Sequence, residues 1–182
     1  MKVADLMTRA VRACTIHDSL NAAARIMWDH DCGCAPVVDA HGRLAGIVTD
    51  RDVCMAAYTQ GVPLAAIPVE RAMSARVVSC ARGDDLETAH RLMRTHLIHR
   101  LPVVDSRGHL LGILSLSDLV SHARTDSAPP SEAIEVATTL YAIHRRRERA
   151  SVSSNGVSGA HEPTKAPKKK RAPAKKPSAD LS

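Results

Sequence analysis

The chain repeats itself, and that limits what it can fold into more than any other feature. GIVTDRD at Gly46 to Asp52 returns as GILSLSD at Gly112 to Asp118, 66 residues later. The same offset carries Met7-Thr8 onto Met73-Ser74, Cys14 onto Cys80, Leu20 onto Leu86, Ala23 onto Ala89 and Met27 onto Met93. It also carries the PVVD of Pro36 to Asp39 onto that of Pro102 to Asp105. Matches at one constant shift mean an internal duplication, so both copies must adopt the same local fold. With 182 residues, the chain has room for two small units that share a core.

Each copy reads β-α-β-β-α, an α+β pattern. After an entry strand around Val11 to Thr15, Asp18-Ser19 caps a helix whose apolar residues Leu20, Ala23, Ala24, Met27 and Trp28 follow the spacing of one face. Trp28 and the methionines are therefore expected in the core. APVVD and LAGIVT, joined by DAHG, form an antiparallel hairpin, and a second helix runs from Thr49 or soon after to about Thr59. The second copy repeats this with a strand at Val77 to Cys80, a helix from about Asp85 to His96, a hairpin turning through DSRG, and a helix from Ser117 to about Arg124. The expected bounds are 1–60 for the first unit, 61–72 for a linker that keeps Leu64, Ile67 and Val69 for packing, and 73–126 for the second unit.

A further helix is expected over 129–150, opened by Pro129-Pro130 and the Ser131 cap, with Ile134, Ala137, Leu140, Tyr141 and His144 on one stripe. From Ser151 to Ser182 the chain turns to Ser, Gly, Pro, Ala and Lys and is expected to be disordered, since few apolar groups offset the entropy of ordering.

Charge follows the same division. Met1 to Asp126 holds 14 basic and 14 acidic residues, so the whole formal net charge of +6 sits in the remainder. Bulk charge thus gives the repeats no reason to bind an acidic partner. The stretch from Lys165 to Lys176 holds seven basic residues among proline and alanine and resembles linker-histone tails, so a nucleic-acid-associated protein is the alternative reading. The start lacks the apolar core of a signal peptide and no run reaches membrane-span length; a cytoplasmic protein without membrane contact is expected. Five cysteines, an odd number without framework spacing, are read as reduced thiols. HDCGC at His30 to Cys34 offers a nitrogen and two thiolates, but no second cluster completes a tetrahedral set, and no metal is expected.

The repeated Gly-x-x-Ser/Thr-x-x-Asp has a plain reading as a capping box, with Thr49 or Ser115 capping a helix and Asp52 or Asp118 reaching back to the cap amide. It also has a chemical one. A helix N-terminus attracts an anion such as phosphate, the hydroxyl adds a donor, and a carboxylate one turn on is an acceptor suited to a ribose diol. No nucleophile, base and orienter assemble from the sequence, which argues against an enzyme.

Over about Lys2 to Arg124 the chain resembles a tandem cystathionine-β-synthase (CBS) domain pair, or Bateman module. The resemblance rests on the MT and MS openings, the Leu-x-x-Ala-x-x-x-Met helices, APVVD and LPVVD, and the Gly-hydrophobic-x-Ser/Thr-x-x-Asp motif, all twice and in register. It implies that Thr49 and Asp52 serve one adenosine-nucleotide site and Ser115 and Asp118 the other. It implies that the backbone and aliphatic residues before the PVVD prolines embrace the base, which points to Cys34, Ala35, Arg100 and Leu101. HRLP at His99 to Pro102 resembles the His-Arg pair that meets phosphates in the gamma subunits of AMP-activated kinase. The first copy has Gly33-Cys34 there, but carries Arg51 beside Asp52. Arg51, His99 and Arg100 are therefore phosphate candidates, with surface ion pairs as the alternative for the arginines. The resemblance implies a regulatory module that senses AMP, ADP or ATP, holds no resident cofactor, and pairs as a homodimer through the helices of both copies.

Overall fold

The computed structural model describes residues 1–125 and 127–154. Lys165 to Lys176, and all of the expected disordered tail beyond Ser154, lie outside the described residues.

The elements, in chain order, are α1 (Val3–Leu6), β1 (Cys14–Thr15), α2 (Leu20–Asp29), β2 (Cys34–Val38), β3 (Leu44–Thr49), α3 (Asp50–Gln60), β4 (Cys80–Ala81), α4 (Leu86–His96), β5 (Arg100–Val104), β6 (Leu110–Ser115), α5 (Leu116–Ala123) and α6 (Pro130–Ser154). Two 3-10 turns, Leu64–Ala66 and Val69–Arg71, lie between the repeats. The fold is α+β, two copies of the expected unit. In each sheet the entry strand runs parallel to the first hairpin strand, which pairs antiparallel with the second. Registers coincide: Cys34 faces Thr49 as Arg100 faces Ser115, and the same bulge follows at Val37/Val38 and Val103/Val104.

Local chemistry explains the helices. Ser19 accepts a hydrogen bond from the Ala22 amide at 3.3 Å and Asp85 accepts one from the Thr88 amide at 2.8 Å, so both first helices start on capped amides. Both helices end in a left-handed residue, Asp31 (φ 47°) and Leu97 (φ 57°), at matching positions. The reversal turns the chain directly into β2 and β5. α2 buries Leu20, Ala23 and Met27. Trp28, expected beside them, is 87% exposed. One position further around the helix takes its ring off the buried stripe and onto the flank.

The repeats exchange their leading segments. Val3 belongs to the core of the second repeat with Leu86, Met93 and Leu119, and its counterpart Val69 to the core of the first with Leu20, Val37 and Val48. Thr8 then pairs with Ile113 of β6, amide to carbonyl in both directions at 2.9 and 3.0 Å, and Ser74 pairs with Ile47 of β3 at 2.9 and 3.1 Å. The hairpin turns also meet, through Leu44 N to Gly108 O at 2.9 Å and Leu110 N to Gly42 O at 3.2 Å. These reciprocal contacts define a pseudo-twofold. Since Val3 and Val69 are both fully buried, each repeat closes its core only with a segment of the other.

α6 packs on α4 and α5, the helical face of the second repeat. Its inward face is shifted from the expected one: Val136, Thr139 and Ile143 are buried and Leu140 packs against the core as expected, while Ile134 and Tyr141 are 67% and 65% exposed. The partner surface decides this. α4 presents His90, whose ring nitrogens meet Thr139 Oγ1 at 2.9 Å and Glu132 Oε1 at 3.0 Å, and Arg94, which pairs with Glu135. A mixed polar stripe answers a polar seam, and counting apolar residues alone shifts the face. α6 also continues to Ser154, past the expected end at 150.

Candidate functional site

Two clefts open along the seam between the repeats. The first, about 440 Å³, combines the entry segment of the first repeat, including Arg12, with Cys32 and Cys34, and with Arg100, Ser115 and Asp118 of the second. The second, about 300 Å³, combines the corresponding segment of the second repeat, including Arg76, with His99 and Arg100, and with Cys34 and Thr49 of the first. Exchange of the leading segments is what builds them: Thr8 and Ser74, laid along β6 and β3, bring the following residues over the start of α5 and the end of β3.

Both capping boxes are formed. Ser115 Oγ donates to Asp118 Oδ2 at 2.7 Å and accepts from the Asp118 amide at 3.2 Å, and the Ser115 amide donates to the same carboxylate oxygen at 2.7 Å. Thr49 and Asp52 reproduce this at 2.7, 3.2 and 2.9 Å. Each hydroxyl thus donates its single proton to its own aspartate. Each carboxylate keeps Oδ1 unbonded among the described residues. Asp118 is one of two carboxylates that line the first cleft, the other being Asp31.

The two motifs differ in placement. Asp118 lines the first cleft, but Asp52 lines neither, and Arg51 is exposed and borders neither. Ala35 and Leu101 are fully buried in the two cores, which leaves their backbone rather than their side chains for the expected contact with a base. Strand alternation explains it, since their neighbours Cys34 and Arg100 point the opposite way, into the clefts. Sequence reasoning missed Arg12 and Arg76; both stand a few residues after the MT and MS openings, and the duplication itself marked those segments.

Electrostatics in the clefts centre on Arg100. A Cβ added at Gly33 would lie 3.1 Å from Arg100 Nη2 and 3.2 Å from Asp50 Oδ2, so the guanidinium of the second repeat rests over the backbone of the first. Neither Arg51 nor Arg100 makes an ion pair within 4.0 Å with a described residue. Burial pushes the Cys34 thiol up to about 11; nearby Arg100 opposes this and Cys32 and Asp50 reinforce it. Cys34 is therefore a neutral, soft wall. Beside the first cleft, a cavity of about 590 Å³ is lined by His99, Arg100, Ser117 and Ser121 and by Leu140 and His144 of α6. His99 and His144 meet edge to face there, ring centroids 6.1 Å apart.

The fold and clefts define a class, paired repeats with clefts at their junction. The sequence pattern of the CBS domain matches residues 3–58 and 69–124, and the chain belongs to that family. CBS domain-containing protein YhcV of Bacillus subtilis (strain 168) is 39% identical over 127 residues, 69% of this chain and 89% of YhcV. Among solved structures, CBSX2 in complex with AMP superposes with a TM-score of 0.60 at 27% identity, covering 67% of this chain and 95% of that one. The CBS domain pair of protein MJ0100, in complex with 5-methylthioadenosine and S-adenosyl-L-methionine, superposes with a TM-score of 0.58 at 26% identity, covering 67% and 94%. No described helix is long and apolar enough to cross a membrane.

Proposed function

We propose that this protein is a regulatory module that binds an adenosine nucleotide, AMP, ADP or ATP, at the junction of its CBS repeats. One observation carries the reading: Asp118, whose cap uses only Oδ2 of the carboxylate, lines the same cavity as Arg100 and Arg12. An acceptor for a sugar diol and cations for a phosphate match the polar parts of a nucleotide. AMP in CBSX2 and adenosine-derived ligands in MJ0100 support the adenosine part. Nucleotide occupancy acts as a signal by stabilising the closed seam between the repeats, and the chain itself performs no reaction. The module works in the cytoplasm as a homodimer.

Calorimetric titration with AMP, ADP, ATP and S-adenosylmethionine tests this. Asp118→Asn, which keeps size but replaces one acceptor oxygen with a donor, is expected to weaken AMP by ten- to a hundredfold, the worth of a hydrogen bond to a charged group of about 1.5–3 kcal/mol. Asp52→Asn, outside both clefts, is expected to change AMP affinity by less than about twofold and to act on the α3 cap instead. Full AMP affinity in Asp118→Asn would refute the site.

A further inference from the structure

The pseudo-twofold that relates the repeats also relates the clefts, and their walls meet at Cys34 and Arg100, which line both. These residues hold the same position in their repeats, 66 apart. A true twofold would place two identical side chains there, but the sequence supplies one thiol and one guanidinium. The first repeat makes room for that guanidinium. Gly33, the counterpart of His99, leaves the space where a Cβ would come within 3.1 Å of Arg100 Nη2. Each cleft has a private cation, Arg12 in the first and Arg76 in the second, and both open onto the same third one.

We propose that Arg100 is an anion-recognising group shared by the two clefts, so that an anionic ligand in one lowers the affinity of the other for a second. The proposal rests on the nucleotide reading above. A guanidinium recognises phosphate as a planar fork, with two parallel N–H donors aimed at two oxygens, and a fork turned toward one cleft is turned away from the other. Arg100 has no ion pair among the described residues to hold it on either side. The coupling is reciprocal, because whichever cleft fills first lowers the affinity of the other by the same factor. A ligand without a negative charge does not compete for the guanidinium, so its two binding events are independent. The module thus counts phosphorylated ligands to one before it counts to two.

Intrinsic differences between the clefts would also give unequal sites, so the test blocks one cleft and measures the other. Ala10 is exposed and lines the first cleft; Ala10→Trp fills it. The full-length variant, checked for folding by circular dichroism and thermal unfolding, is titrated with AMP and with adenosine. With the first cleft filled, the second is expected to bind AMP about tenfold tighter than in the weak step of the wild-type titration, within the usual range of coupling between sites. Adenosine affinity of the second cleft is expected to stay as it is. Adding Arg100→Met to Ala10→Trp is expected to abolish the gain. Arg76→Trp, which fills the second cleft, performs the reciprocal test and replaces the first should Ala10→Trp not fold. AMP affinity at the remaining cleft unchanged by blocking its neighbour, or a gain that survives Arg100→Met, overturns the shared guanidinium while leaving nucleotide binding intact. No binding of AMP or adenosine to the wild type removes the nucleotide reading, and this proposal with it.

Discussion

Gly112 lies against the backbone of Thr8: a Cβ at Gly112 would fall 2.6 Å from the Thr8 carbonyl oxygen and 3.1 Å from Met7 Sδ. Gly46 repeats the relationship on the other side of the seam, with Met73 Sδ at 2.6 Å and the Ser74 carbonyl oxygen at 3.2 Å. The glycine of the repeated motif is therefore set by the crossing of the other repeat's leading segment. It lets a strand pass where any side chain would push it off.

Alanine substitutions are expected to grade accordingly. Gly112→Ala meets backbone that is hydrogen-bonded in both directions and is expected to destabilise by about 1–3 kcal/mol in urea unfolding. Gly46→Ala meets chiefly a thioether that can swing aside, so its cost is expected to be smaller. Met73→Ala added to Gly46→Ala should recover part of the loss, and equal costs at the two glycines would contradict this account.

The α4–α6 seam depends on a buried histidine. His90 is fully buried and has partners on both ring nitrogens, Thr139 at 2.9 Å and Glu132 at 3.0 Å. Glu132→Ala leaves Nε2 buried without a partner and is expected to cost about 1–3 kcal/mol. Replacing both, as His90→Leu with Glu132→Leu, is expected to cost less than Glu132→Ala alone, since no polar group then remains unpaired. Hydrogen exchange of α6 amides should report the weakened docking as faster exchange of that helix, ahead of the sheets.

Three buried thiols set an alkaline limit. Burial raises Cys14, Cys34 and Cys80 from 9.0 to about 11, with Asp18 adding to it at Cys14 and Asp84 at Cys80. Between these values the unfolded chain has lost those protons while the folded chain keeps them. Fewer bound protons in the unfolded state make stability fall as pH rises. Denaturant unfolding is therefore expected to show full stability from these groups below about pH 9 and a progressive loss from about pH 9 to 11. Cys34→Ala should make that decline shallower, and an unchanged slope would show that the thiol does not contribute.

Pairing between chains is expected to use one repeat rather than two. α6 covers α4 and α5, whereas on the first repeat Trp28, Met55 and Tyr58 stand 87%, 49% and 84% exposed. Their counterparts in the second repeat are Arg94, Ser121 and Arg124. A second copy covering this face in an isologous dimer fits the pattern. Trp28→Arg with Tyr58→Arg, which installs the second repeat's residues, is expected to give a monomer by light scattering while thermal stability of the monomer fold is retained. A wild-type monomer, or a double variant that still pairs, would exclude this surface.

Much of this architecture is local and was therefore legible in the residues. The Ser19 cap and the Thr49–Asp52 and Ser115–Asp118 boxes act over a few neighbouring positions, and each formed where the pattern put it, while the 3.6 periodicity found the helices but misplaced Trp28. Only the docking of the repeats decided the rest. That Val3 serves the second core and Val69 the first depends on contacts between segments far apart in the chain, which no periodicity records. The same docking turned Asp118 toward a cleft and left Asp52 outside both, although their motifs are matched. The inward face of α6 was set by His90 and Arg94 across the seam, and Arg100 came to serve two clefts because Gly33 of the other repeat leaves it room. A duplicated sequence specifies its unit twice, and a single docking, with a thiol and a guanidinium at matched positions, makes the two halves unequal.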